Sequence, residues 1–185
     1  MIRNSFHHRR PRPRPHPRPH PHPGPGPHPH PHPPHPHPPH PPVPPPRPGT
    51  RQRDHGPEPY VMDINRATLQ NSNYRTALWT GPHLQLTVMC IPPGGEIGLE
   101  IHPDTDQFIR IEEGQGIVQM GPSRRNLSFR QPAFKDSAIF VPAGMWHNIT
   151  NIGRSPMRLY TIYAPPHHPH GTVHQTKAIA DAMGD

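Results

Sequence analysis

Two short stretches of the chain carry the side chains best suited to chemistry. Residues 94–114 read GGEIGLEIHPDTDQFIRIEEG and hold Glu100, His102 and Gln107; residues 136–151 read DSAIFVPAGMWHNITN and hold His147. In an extended strand, residues two apart face the same way, so Glu100 and His102 are expected to look inward together while Ile101 looks away. Gln107 follows a turn that contains Pro103, and His147 follows the Pro142-Ala143-Gly144 turn. Two imidazoles, a carboxylate and an amide brought to one pocket are the donors of a mononuclear site for Mn, Fe, Ni, Zn or Co. Glu100 would serve there as ligand or as general base. The competing reading is a pocket whose polar groups only hydrogen-bond one another.

The elements that must position these residues lie in the second part of the chain. Alternation of apolar and polar residues predicts strands over 74–80, 84–91, 97–102, 107–112, 116–120, 138–142, 146–151 and 157–163. Between them lie GPH, PPGG, HPDT, EEGQG, GPSRR and NIGRSP, all with turn composition. Many short strands with little helix imply an all-β, double-sheet jelly roll. A helical turn is expected at 65–70 and a terminal helix at 175–183. The domain reading is an arm over 1–58, a barrel over 59–176 and a tail over 177–185.

Both stretches resemble the two motifs of the cupin superfamily. The first motif, G-x5-H-x-H-x3-4-E-x6-G, is matched from Gly94 to Gly114, with Glu100 where the first His is usual, His102 at the second His and Gln107 at the Glu. The second, G-x5-P-x-G-x2-H-x3-N, is matched by Pro142, Gly144, His147 and Asn151, with Asp136 where a Gly is usual. Asp106 is a rival for Gln107, but the spacing to Gly114 favours Gln107. The resemblance covers residues 60–176 and implies a double-stranded β-helix barrel whose metal ligands are Glu100, His102, Gln107 and His147. Zinc-dependent phosphomannose isomerases of the same superfamily use a Gln, His, Glu, His set; here the amide and carboxylate positions are exchanged.

Composition sets the rest of the chain apart. Residues 7–48 are almost entirely Pro, His, Arg and Gly, and they hold most of the chain's 35 prolines and 19 histidines. Such a segment has nothing to bury, so a disordered arm sampling polyproline II structure is expected. The formal net charge of +7 belongs to this arm. Asp54 is the sole acid before residue 55, and the remainder is close to neutral. A specific nucleic-acid groove on the barrel is therefore not indicated. The His-Pro repeats could gather metal or respond to pH through their imidazoles, or simply solubilise. With no apolar run of membrane-spanning length and no apolar leader, the expected location is cytoplasmic. Cys90, the single cysteine, sits in the apolar run LTVMC and reads as a buried structural thiol.

After the last barrel strand, APPHHPHGTVHQTK brings His167, His168, His170 and His174. These could form a second metal locus, reach over the barrel mouth, or pack on its outside. Alternation turns Phe108 and Trp146 outward, which suggests a homodimer interface. The functional reading is a metal-dependent small-molecule enzyme, dioxygenase-like or a sugar isomerase. A non-catalytic metal- or ligand-binding module and a structural surface protein are the alternatives, and fold alone does not choose among them.

Overall fold

The structure, a computed structural model, describes residues 52–184. The Pro/His/Arg-rich run at 7–48, with its expected disorder and metal binding, lies outside the described residues. The described chain forms helix α1 (Ile64–Gln70), strands β1 (Arg75–Thr80), β2 (Gln85–Ile91), β3 (Asp106–Glu113), β4 (Gln115–Gly121), β5 (Phe129–Phe134), β6 (Ala138–Val141), β7 (Trp146–Asn151), β8 (Met157–Ala164) and β9 (Val173–His174), and helix α2 (Lys177–Ala182). One sheet has six strands in the order β6-β3-β8-β2-β1-β9, and the other has three in the order β5-β4-β7. The ladders are antiparallel. The expected all-β jelly roll is the architecture found.

Alternation explains which face of each strand is buried. In β8, Met157, Leu159, Thr161 and Tyr163 are buried while the residues between them are half-exposed. The core is shared by the two sheets: Met89, Ile91, Ile109, Ile111 and Leu159 from the larger meet Val118, Met120 and Ile149 from the smaller. At one end of that interior the apolar residues give way to polar ones, and the site lies there.

Three elements differ from the sequence reading. The expected strand at 97–102 is a chain crossing with isolated bridges, Glu96 to Thr150 and Glu100 to His147. Gly98, at φ +92°, breaks the extended run that a continuous strand needs. β5 was not expected, because FRQPAF contains Pro132 and buries only Ala133. It is an edge strand, the place in a sheet where a proline lacking an N–H is tolerated. β9, two residues long, was also too short to leave a pattern.

Both helices fall where helical turns were expected. α1 is capped by Asp63, whose side chain accepts from the Arg66 N–H, and Asn65 ties it to the sheet by donating to Glu112 Oε2 at 2.5 Å. α2 is capped by Thr176 and buries Ala180 in the core. Residues 52–58 lie along β1: the His55 N–H donates to Leu78 O at 2.9 Å, Trp79 Nε1 donates to Glu58 O at 2.8 Å, and the His55 ring stacks on Tyr60 at 3.9 Å.

All the described strands and core contacts follow residue 52, so removal of residues 1–50 is expected to move the thermal unfolding midpoint by no more than about 2 °C, the equivalent of well under 1 kcal/mol in a domain of this size. Loss of a cooperative transition in calorimetry of the shortened chain would contradict this boundary.

Candidate metal centre

His147 is set on β7 by the turn before it. The Gly144 N–H donates to His102 O at 2.8 Å and the Met145 N–H to Pro142 O at 3.1 Å; Gly144 adopts φ +75°, a conformation that favours glycine. Glu100 is held beside it by a reciprocal backbone pair, Glu100 N–H to His147 O and His147 N–H to Glu100 O, both 3.0 Å. The pairing that replaces the expected strand therefore still brings Glu100, His102 and His147 together. One ligating atom from each lies within 4.8 Å of the others.

The hydrogen bonds of this trio pose a problem of protons. Glu100 Oε1 is 3.2 Å from Nε2 of His102 and 3.2 Å from Nε2 of His147. His147 Nδ1 is 3.0 Å from Met145 O, which can only accept, so this nitrogen carries the proton. In neutral His147 the other nitrogen is then a lone pair facing a carboxylate oxygen. A cation between them, or a proton shared between the ring and the carboxyl, makes that contact favourable. Backbone carbonyls that fix the outer nitrogen of a ligating histidine are a regular feature of metal sites. Two imidazole nitrogens and a carboxylate fit a divalent transition-metal ion.

Burial pushes the Glu100 carboxyl up, but its bonds to His102 and His147 and the nearby charge of Arg75 outweigh this and hold it well below the usual carboxylate range. It is therefore ionised. Glu100 keeps 18% of its side-chain surface exposed, against 3% for His102 and 1% for His147, so the carboxylate is the member of the trio that meets an incoming molecule.

Gln107 is on β3 and buried, with Nε2 donating to Thr161 Oγ1 at 3.0 Å. Its Oε1 is buried without a hydrogen-bond partner. Asp106, its rival, is exposed and accepts from the Ala143 N–H at 2.8 Å, which supports the turn before β7.

Sequence reasoning missed the surroundings of the trio. Arg75, only 1% exposed, lies close enough for its charge to act on Glu100; its place as the one charged residue in the expected strand YRTALWT was the available signal. Tyr163 packs its ring edge-on to His102 at 5.5 Å. The histidines after β8 do not form a second cluster with metal-ligating geometry among the described residues. Instead, the His167 ring lies 4.0 Å from that of His102, and His168 is buried against Tyr163 at 4.9 Å. Cys90 is a half-buried free thiol whose pKa burial pushes up. Trp146 is half-buried, with the Arg124 guanidinium 5.6 Å from its ring centre.

A two-sheet jelly roll with an inward Glu-His-His trio at one end of its core defines a small barrel protein with a candidate metal centre. The chain belongs to the cupin family: the cupin domain model matches residues 87–163. It is 59% identical over 133 residues to the YrkC protein of Bacillus subtilis, which covers 72% of each chain. A protein of Acanthamoeba polyphaga mimivirus is 41% identical over 115 residues, 62% of this chain and 70% of its own. The crystal structure of BH2720 from Bacillus halodurans, 59% identical, superposes with a TM-score of 0.70 over 70% of this chain and 98% of its own. Among the described residues no helix is long and apolar enough to cross a membrane.

The loop beside the site is tied down by Asp54. Its carboxylate accepts from Thr80 Oγ1 at 2.5 Å, the Gly171 N–H at 3.0 Å and the Gly56 N–H at 2.9 Å. Burial pushes this carboxyl up, but the three hydrogen bonds and nearby His170 prevail and lower it. A carboxyl lowered in the folded state adds stability that is present above its ordinary value and is lost as pH falls through the lowered one. Asp54→Asn is therefore expected to destabilise by about 1–3 kcal/mol near neutrality. In urea melts the gap from wild type should stay constant above about pH 5 and close below it. A gap independent of pH down to acid unfolding would contradict this role.

Proposed function

We propose that the protein is a metal-dependent enzyme acting on a small molecule, an oxidoreductase of dioxygenase type. The observation that supports this most is the contact between Glu100 Oε1 and both imidazole Nε2 atoms, which a divalent ion would satisfy. Two histidines and one carboxylate with open positions are the ligand set of non-haem iron oxygenases. Gln107 would complete the set through its unbonded Oε1, while its amide nitrogen is held by Thr161. Lewis acidity toward adjacent oxygens of a substrate is what the bound ion would supply. The protein's own part is to hold the imidazoles by backbone pairing and to present the Glu100 carboxylate at the mouth.

Metal content by elemental analysis tests the ligand set, read as the difference from wild type so that metal held by the arm cancels. His102→Ala and His147→Ala should each lose the barrel-bound ion, because water replaces an imidazole nitrogen poorly. Gln107→Ala should weaken retention less, and Gln107→Glu should strengthen it by adding a charge. Unchanged metal in both histidine variants would sink the site. Dioxygen uptake by iron(II)-loaded protein with a panel of small hydroxy and oxo acids tests the reaction. Uptake that requires His102 and His147 supports it, and tight metal retention without uptake would point to a binding module.

A homodimer is the assembly we propose. Phe108 packs against Phe140 at 5.3 Å and Tyr160 at 6.1 Å on the outer face of the larger sheet, where Phe140 is 71% exposed. Light scattering at micromolar concentration should report a dimer that Phe140→Glu dissociates; a monomeric wild type would contradict it.

A further inference from the structure

The segment after β8 doubles back to the site and is held by side chains buried for that purpose. Gln85, with no exposed surface, accepts at Oε1 from the N–H groups of His168 at 2.9 Å and His167 at 3.3 Å. Its Nε2 donates to His168 O at 2.8 Å and to Thr80 Oγ1 at 2.9 Å. One buried amide thus reads three backbone groups of the loop, much as a neighbouring strand would. A second anchor follows within a few residues: the Gly171 N–H donates to Asp54, and the Ala77 N–H to Thr172 O at 2.8 Å. The position of His167 is therefore fixed by the barrel.

That position is at the mouth. The His167 ring is 4.0 Å from His102 and 5.8 Å from Tyr163, so the three rings line one wall from interior to surface. His102 is buried at the inner end and His167 is exposed at the outer end. His167 is outside the group whose ligating atoms lie within 4.8 Å of one another. Its ring stands next to that of His102.

Charge says what would bind between this wall and the trio. Glu100 is the sole carboxylate of the trio, and the charge of buried Arg75 acts on it. A divalent ion held by one carboxylate and neutral donors leaves excess positive charge beside Arg75, in surroundings where charge is weakly screened. An anion is the complement. We propose that His167 forms the outer wall of the metal site and donates a hydrogen bond to the carboxylate of a small 2-hydroxy or 2-oxo acid bound there. This rests on the metal reading of Glu100, His102 and His147. It makes His167 a residue that contacts substrate and assigns the substrate class.

The test uses the full chain loaded with cobalt(II), with glycolate and ethane-1,2-diol as probes, which present similar adjacent oxygens with and without the carboxylate. Visible absorption of the cobalt is followed, and the spectrum of the His102→Ala/His147→Ala variant is subtracted as the blank for metal held elsewhere. Wild type should bind glycolate with a saturable spectral change and bind the diol far more weakly. His167→Ala should keep its cobalt and its melting temperature but bind glycolate roughly tenfold to a hundredfold more weakly, the worth of a hydrogen bond to a charged group. His167→Gln, which retains an N–H donor, should recover part of that loss. Unaltered glycolate affinity in His167→Ala, or equal affinity for the diol, would overturn the proposal while leaving the metal reading intact. Loss of cobalt from His167→Ala would overturn it by making His167 a ligand. Absence of a cobalt signal above the blank in wild type would instead overturn the metal reading, and the proposal with it.

Discussion

A half-buried carboxylate facing two buried imidazoles is the constraint on which the rest of this structure depends. Glu100 meets Nε2 of both His102 and His147 through the same oxygen, while the far nitrogen of His147 is committed to a backbone carbonyl. Charges in such a place are expensive unless compensated. The compensation here comes from the imidazoles, from Arg75 and, on the reading argued above, from an ion that the three donors enclose. Glu100 and His102 come from one segment, His147 from β7 and Arg75 from β1, so the site exists only when the barrel is closed.

The barrel supplies closure cheaply because its strands are short and its faces alternate. β8 carries the interior from core to site within one strand: Met157 and Leu159 pack among aliphatic residues, Thr161 receives Gln107, and Tyr163 stands beside His102. The same alternation that builds the core thereby delivers polar groups to its end. The loop after β8 is then drawn back by Gln85 and Asp54, which convert an irregular segment into a fixed wall. Residues before α1 take part, since Asp54 bonds to Thr80 on β1 and to Gly171 of this loop, and Gly56 O lies 3.0 Å from Nε2 of His170.

Much of this was legible in the sequence, for physical reasons that differ from residue to residue. The strands with near-regular alternation, β3, β4 and β8, were readable because mainly one face of each is buried. Glu100, His102 and His147 were readable from their spacing to glycines and prolines that set the turns. β5 was not, because an edge strand with Pro132 buries a single side chain and leaves no pattern. The stretch 97–102 was misread as a strand because its apolar alternation is real, whereas the backbone at Gly98 turns away. Arg75 and Gln85 were not picked out as site residues for another reason: their roles depend on which strands become neighbours, and a β2–β8 ladder is a long-range fact. For His167, a place over the barrel mouth was one of the readings the sequence left open, and the fold puts its ring against His102. Gln107 stands between these cases, with its place on β3 foreseen and its unbonded oxygen seen only in the fold.

The most direct measurement is anomalous diffraction from crystals of the protein grown with a divalent transition metal, collected on both sides of that metal's absorption edge. The account predicts a single strong peak at the end of the barrel core, within about 2.0–2.2 Å of a carboxylate oxygen of Glu100 and of Nε2 of both His102 and His147. A fully ordered site with no anomalous peak, and with the Glu100 carboxylate still bridging the two imidazoles, would contradict it.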